Sequence, residues 1–379
     1  MSEFQYVSFR AIDSPLTEAQ LQRMRKQSSR AKITQWSFEN TYNFGDFRGD
    51  STMMLRNGYD IHLHYANFGI RTLAIRLPQG LPISMNEFSR YVDDETVVWK
   101  KDPKGPAGIL TISPQMDGGS ADELWEVDEH VERLVEVRQQ LIDGDLRPLY
   151  LSWLCACHYG ALDSELAIEP PVPAGLGRVP DSINAMIELF GLDPMVVAAA
   201  AKRSPTHAPM PDQRAAMTEW LGTIDPALLR QWMLQSLTGE FTAMKASGLK
   251  AFRDSGIGES QQSAAEGTRT YSELLELAET LSKEKQKRER TRKEEALVKR
   301  MADIAESPKQ YLADVEKHVA TRSVRGYQQA AQLLCEIREA VGGKKGEKMA
   351  CSFASQLNKK YPTLRMLTGA LRRQGLLSK

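Results

Sequence analysis

Cysteine is scarce in this chain: Cys155, Cys157, Cys335 and Cys351 are the four in 379 residues. So few thiols in so long a chain do not make a disulfide framework, which fits a reducing compartment and a cytoplasmic protein. Long apolar runs are missing as well. The longest, Met195 to Ala201, falls far short of the roughly 20 residues that cross a bilayer, so no membrane partner is expected. Met1-Ser2-Glu3-Phe4-Gln5-Tyr6 has an acid at its third position and no basic cluster ahead of an apolar run, so no signal peptide is expected there. Catalytic signatures are absent too: there is no Gly-x-Ser-x-Gly, His-Glu-x-x-His, paired Cys-x-x-Cys or dinucleotide fingerprint. Gly342-Gly343-Lys344-Lys345-Gly346-Glu347-Lys348 lacks the spacing and terminal Ser or Thr of a phosphate loop, and its glycines are expected to stop a helix.

Charge of one sign is lacking only in the sum. The 49 Lys and Arg balance the 49 Asp and Glu, but 23 of the cations and 11 of the acids lie from Lys283 onward, a net of +12. Residues 1–282 therefore hold 26 against 38, a net of −12. Asymmetry of this kind suits a basic arm for nucleic acid, a clasp between halves, or solubility alone. The length implies two or three domains.

The stretch Glu266 to Glu306 divides the chain. Ser282 to Glu295 is polar throughout and has no Gly or Pro, so one solvated helix is expected. Glu284 and Arg288, Glu289 and Lys293, and Glu295 and Lys299 stand four apart with the acid first, each pair supporting the helix by about 0.2–0.5 kcal/mol. Leu274, Leu277, Ala278 and Leu281 supply an apolar seam before the charged stretch, and Leu297, Met301 and Ile304 one after it.

Residues 1–118 read as an α+β domain with a mainly antiparallel sheet. Gln5 to Ile12 and Ile33 to Phe38 alternate as strands, and Pro15-Leu16-Thr17 opens a helix between them. Ile61, Leu63 and Tyr65 share a face across the turn Asn67-Phe68-Gly69 from Leu73, Ile75 and Leu77, while the other face is polar or small, so one wet face is expected. Glu95 to Lys100 and Ile109 to Ser113 read as a second hairpin. Residues 119–254 read as an acidic helical domain, with a stripe through Leu124, Val127, Val131, Leu134 or Val135, and Leu141 and a second helix from Leu146 to Gly160. Glu169 to Leu176 is expected to be a stiff extended connection. Asp193-Pro194 and Asp225-Pro226 are expected to cap and open two helices. Residues 255–306 are expected to be a flexible linker, Ser255 to Gly267, running into the long charged helix. Residues 307–379 are expected to be a small basic module of four helices.

Phe9-Arg10-Ala11-Ile12-Asp13-Ser14-Pro15-Leu16-Thr17, Ser29-Arg30-Ala31, Gly45-Asp46-Phe47-Arg48-Gly49-Asp50 and Glu169-Pro170-Pro171-Val172-Pro173 resemble the punctuation of an uncharacterised bacterial protein family. Tyr327 to Arg338 and Leu364 to Leu376 resemble the helical tails of bacterial proteins with SWIM-type zinc fingers, whose zinc ligands this chain lacks. The resemblance implies no catalytic residue.

Two constellations carry chemistry. Asp60, His62 and His64 alternate on a strand and point the same way, the arrangement in which two imidazoles and a carboxylate meet a divalent metal. The plainer reading is three polar residues on a wet face. Lys359, Lys360, Arg365, Arg372 and Arg373 could contact phosphates or an acidic partner. Cys155-Ala156-Cys157-His158 is read as buried core, and Asp93 or Asp94 with Asp102-Pro103-Lys104 as a turn. The expectation is a non-catalytic interaction or scaffold protein that docks a protein or nucleic acid through its basic C-terminal helices, with no cofactor. The alternative is a metal-dependent hydrolase or nuclease centred on Asp60, His62 and His64.

Overall fold

A computed structural model describes residues 3–81, 83–103, 107–116, 126–206, 213–255 and 264–378. By their contacts the residues fall into two units, Met1–Ser282 and Lys283–Lys379, so the contact boundary coincides with the change in sign of the charge.

The first unit opens with the expected α+β pattern: β1 (Gln5–Arg10), α1 (Glu18–Arg25), β2 (Lys32–Ile33), β3 (Ser37–Tyr42), α2 (Ser51–Arg56), β4 (Ile61–Ala66), β5 (Ile70–Leu77), α3 (Met85–Ser89), β6 (Val97–Lys101) and β7 (Gly108–Ile112). The strands form one antiparallel sheet in the order β2-β3-β1-β4-β5-β7-β6. Both expected hairpins are present, with Leu63 opposite Leu73 and Trp99 opposite Leu110. The strand expected over Ile33 to Phe38 is instead broken between β2 and β3. There the Thr34 hydroxyl accepts from the N–H groups of Trp36 and Ser37 and turns the chain.

The expected wet face is also corrected. One face, through Tyr6, Ile61, Leu63, Leu73, Ile75 and Leu110, packs on helices. The other is covered as well, because β1 and β3 add Val7, Phe9 and Phe38 to it, and α1 and α2 lay Leu21, Met24, Met54 and Leu55 across it. The β4–β5 alternation gives no sign of that cover, since the apolar residues come from neighbouring strands.

α4 (Val127–Ile142), α5 (Arg147–His158), α6 (Asp181–Leu189) and α7 (Pro194–Ala201) share the core of the first face, so one interior runs across positions 118–119 where strand period gives way to helix period. Leu124 lies outside the described residues. α8 (Gln213–Leu221), α9 (Pro226–Leu237) and α10 (Phe241–Asp254) gather around Trp220, Trp232 and Phe252. Asp193 and Asp225 cap α7 and α9 as expected, accepting from the N–H groups of Met195 and Ala227. Thr242 at the start of α10 donates to Asp13, 2.6 Å away, and ties this group of helices to the sheet.

The expected flexible linker, where it is described, is pinned. The N–H of Val172 donates to the carbonyl of Ala265 at 2.7 Å, the carbonyl of Val172 accepts from Ala265 N–H at 3.0 Å, and Glu169 N–H donates to the carbonyl of Arg269 at 2.7 Å. A Cβ on Gly267 would overlap the carbonyls of Glu169 and Pro170, so the two segments approach as closely as glycine permits.

α11 (Tyr271–Glu306) is one unbroken helix of 36 residues, about 54 Å long. Tyr271, Leu274 and Ala278 lie in the core of the first unit, every residue from Lys283 to Arg300 is exposed, and Ile304 is buried in the core of the second. Two details differ from expectation. Leu297 is exposed, and the three acid-first pairs are not formed; Arg290 instead meets Glu294 at 2.9 Å. Between fully hydrated side chains such pairs are worth too little to fix one arrangement.

The second unit closes with the four expected helices: α12 (Pro308–Ala320), α13 (Val324–Val341), α14 (Gly343–Lys360) and α15 (Arg365–Arg373). Val319, Tyr327, Leu334, Ala350, Leu357 and Leu371 meet at its centre. α13 ends at Gly342, whose φ of +67° lets the chain reverse into α14. A Cβ on Gly346 would strike the carbonyl of Arg338, which lets α14 lie close against α13. Among the described residues no helix is long and apolar enough to cross a membrane.

Candidate functional site

The metal constellation does not assemble. Asp60, just before β4, and His62 and His64 on it do point the same way, but Asp60 and His62 are buried and His64 is half-buried. The Asp60 carboxylate accepts the N–H groups of Ile12 (2.7 Å) and Asp13 (3.1 Å) and the guanidinium of Arg76 (2.7 Å), with Arg138 at 3.4 Å. His62 donates through Nδ1 to the Ser8 carbonyl at 3.1 Å and stacks on Phe9 with ring centroids 4.0 Å apart. Burial pushes its pKa down to about 3, so it is a neutral core ring at ordinary pH. His64 bonds Gln5 at 3.0 Å, and burial lowers its pKa too. Among the described residues no group of three or more His, Cys, Asp or Glu side chains is placed to hold a metal ion. The Asp93 carboxylate caps a turn by accepting from Glu95, Thr96 and Val97, and Lys104 lies outside the described residues.

Two buried ionic clusters were not anticipated. In the first, Arg138 of α4 donates to both oxygens of Asp13 at 2.7 Å and to the carbonyl of Arg76 at 2.7 Å. Burial works against the Asp13 carboxylate, but the bonds and charge of Arg138 outweigh it and hold its pKa below the usual carboxylate range. Arg138 falls four residues after Leu134 in the apolar stripe, and a cation at that position was the available signal. In the second cluster, Arg269 makes two bonds to Glu169, at 2.9 and 2.7 Å, and two to the last carbonyls of α7, on Ala199 and Ala200. Tyr150 donates its hydroxyl to the same carboxylate. Each donor and acceptor is paired, so both clusters read as fixed joints. Asp13 of residues 9–17 and Glu169 of residues 169–173 are their acidic centres.

Cys155 and Cys157 are buried in α5, and burial raises both thiols, that of Cys157 to about 12. Neither is a nucleophile at neutral pH.

In the second unit the exposed charge is mostly positive. From Lys283 to Arg373 every Lys and Arg except Arg338 is exposed. Of the five expected contact residues, Lys359, Arg365, Arg372 and Arg373 are exposed at the ends of α14 and α15 and have no acidic partner among the described residues. Lys360 is engaged, at 3.0 Å from Glu316 and over the ring of Tyr361. The structure further gathers Arg373 into a groove of ≈ 550 Å³ with Arg300, His318, Gln328, Gln332 and Gln374. Gln328 and Gln332 stand four apart on α13 and so share a face, the one signal in the sequence for this part of the groove. Compared with protein-family models, with curated proteins and with solved structures, the chain matches none of them.

Proposed function

We propose that the chain is a non-catalytic interaction protein whose second unit docks nucleic acid through its basic helices. The observation that carries this reading is the exposure of all but one of the Lys and Arg side chains between Lys283 and Arg373, in a stretch of net charge +11. Exposed cations, including Lys359, Arg365, Arg372 and Arg373 that meet no acid among the described residues, are available to displace counterions from a phosphate backbone, the source of sequence-independent affinity. The pairing of Asp13, Asp60 and Glu169 with arginines supports the non-catalytic part, because each carboxylate is held by an opposite charge and hydrogen bonds instead of being left free to take a substrate's proton.

The test is fluorescence anisotropy of a labelled 24-base-pair duplex with the full chain at 50 and 200 mM salt. Contacts to about four phosphates would give a log–log salt slope near −3.6, a loss of roughly 100-fold over that range. Changing Lys359, Arg365 and Arg372 together to Glu is expected to abolish the binding. Absence of binding by the unaltered chain at 50 mM salt would sink the proposal.

A further inference from the structure

The second unit has a groove whose lining suits one part of a nucleic acid better than any other. Its wall on α13 carries Gln328, Gln329 and Gln332, whose side chains make no hydrogen bond among the described residues. The side-chain oxygen of Gln374 lies 3.6 Å from the Cys335 sulfur, and its NH₂ group makes no hydrogen bond among the described residues. Arg300 is held at 2.8 Å from Glu336, so its charge is balanced and its direction set. Arg373 has no acidic partner among the described residues. The result is a row of neutral amide donors with one uncompensated guanidinium, and the apolar side chains beneath them, Ala331, Leu333 and Ala370, are buried.

We infer that this groove holds the phosphate and sugar edge of a double-stranded nucleic acid, with Arg373 on a phosphate and the glutamine amides donating to phosphate and sugar oxygens. The inference rests on the proposed nucleic-acid function and adds to it a site and a strandedness. Amide and guanidinium donors are the groups that position a protein on a duplex backbone. Single strands are held chiefly by bases stacked on aromatic faces. Here Tyr311, Tyr327, Phe353 and Tyr361 all pack in or against the core, and Lys360 covers the Tyr361 ring at 5.6 Å. An acidic protein segment would look for a large apolar or aromatic anchor point, which the groove does not offer.

The test uses the full chain, the labelled duplex and its single strand, with binding followed across salt. Arg373→Ala is expected to weaken duplex binding and make the log–log salt slope shallower by about one, since one phosphate contact is lost. Gln328→Ala with Gln332→Ala is expected to weaken binding by about five- to 50-fold with the slope unchanged, because neutral donors release no counterion. Lys285→Ala with Lys287→Ala, far along the exposed part of α11, is the comparison for charge alone. These side chains are exposed, so circular dichroism melting should stay as in the parent. Duplex binding that persists unchanged in both groove variants overturns the groove while leaving the proposed function standing. Failure of the parent to bind at 50 mM salt removes both. Tighter binding of the single strand overturns the duplex assignment, and polyglutamate competing as well as unlabelled duplex overturns the assignment to nucleic acid.

Discussion

Replacing His62 by Phe should flatten the acid sensitivity of the first unit. His62 is 3 % exposed, donates to Ser8 and is stacked on Phe9, and its pKa is pushed down to about 3 by burial. An unfolded histidine takes up its proton near pH 6.5. Between those values the unfolded chain binds a proton that the folded chain does not, so stability falls as pH drops from 6.5 towards 3. At pH 5 the loss from this one ring is about 2 kcal/mol relative to neutral pH, and a folded pKa one unit higher would leave that figure almost unchanged. All six tryptophans precede Lys283, so tryptophan fluorescence during urea unfolding reports the first unit alone. Phe keeps the ring stack and forfeits the bond to Ser8, a cost of about 1 kcal/mol that is the same at every pH. The expected result is a variant slightly less stable at pH 7.5 whose further loss on going to pH 5.0 is smaller than that of the parent by about 2 kcal/mol. His64 is present in both proteins and drops out of the difference. Equal losses in parent and variant would refute the claim that His62 is held neutral by its surroundings.

Two further changes test the packing inside each unit. Arg138→Met leaves the carboxylates of Asp13 and Asp60 without their shared cation in an interior position. It should cost about 3–5 kcal/mol in the same urea assay, and a loss below about 1 kcal/mol would show that the cluster is not a joint. Gly346→Ala should loosen the second unit, because a Cβ there meets the Arg338 carbonyl. A fall of several degrees in the melting of α-helical circular dichroism is expected, with the tryptophan transition unmoved, since no tryptophan lies in that unit.

Local order was legible wherever a period or a punctuating residue set it. Gly342 stopping α13, Asp193 and Asp225 opening α7 and α9, and the hairpin joining β4 to β5 are each decided by a few neighbouring residues. What could not be read were partnerships across long separations. Glu169 finds Arg269 one hundred positions later, Asp13 finds Arg138, and the second face of the sheet is closed by α1 and α2. Each looked like an ordinary polar residue in its own window, and His62 looked like a ligand for the same reason. The basic contact residues were visible in composition alone. Their gathering beside the α13 glutamines was not, because it depends on how α13 and α15 pack.

The N-terminal unit does not complete its own interior until late in the chain. Tyr271, Leu274 and Ala278 are core residues of that unit, and Arg269 closes the Glu169 joint just before them. During synthesis the sheet and its first helices therefore emerge with part of their apolar surface still open to water. They settle only once the start of the long helix has cleared the ribosome. A fragment that stops short of Arg269 would carry all seven strands and still expose the floor on which that helix rests, and it should aggregate where one ending near Ser282 stays in solution.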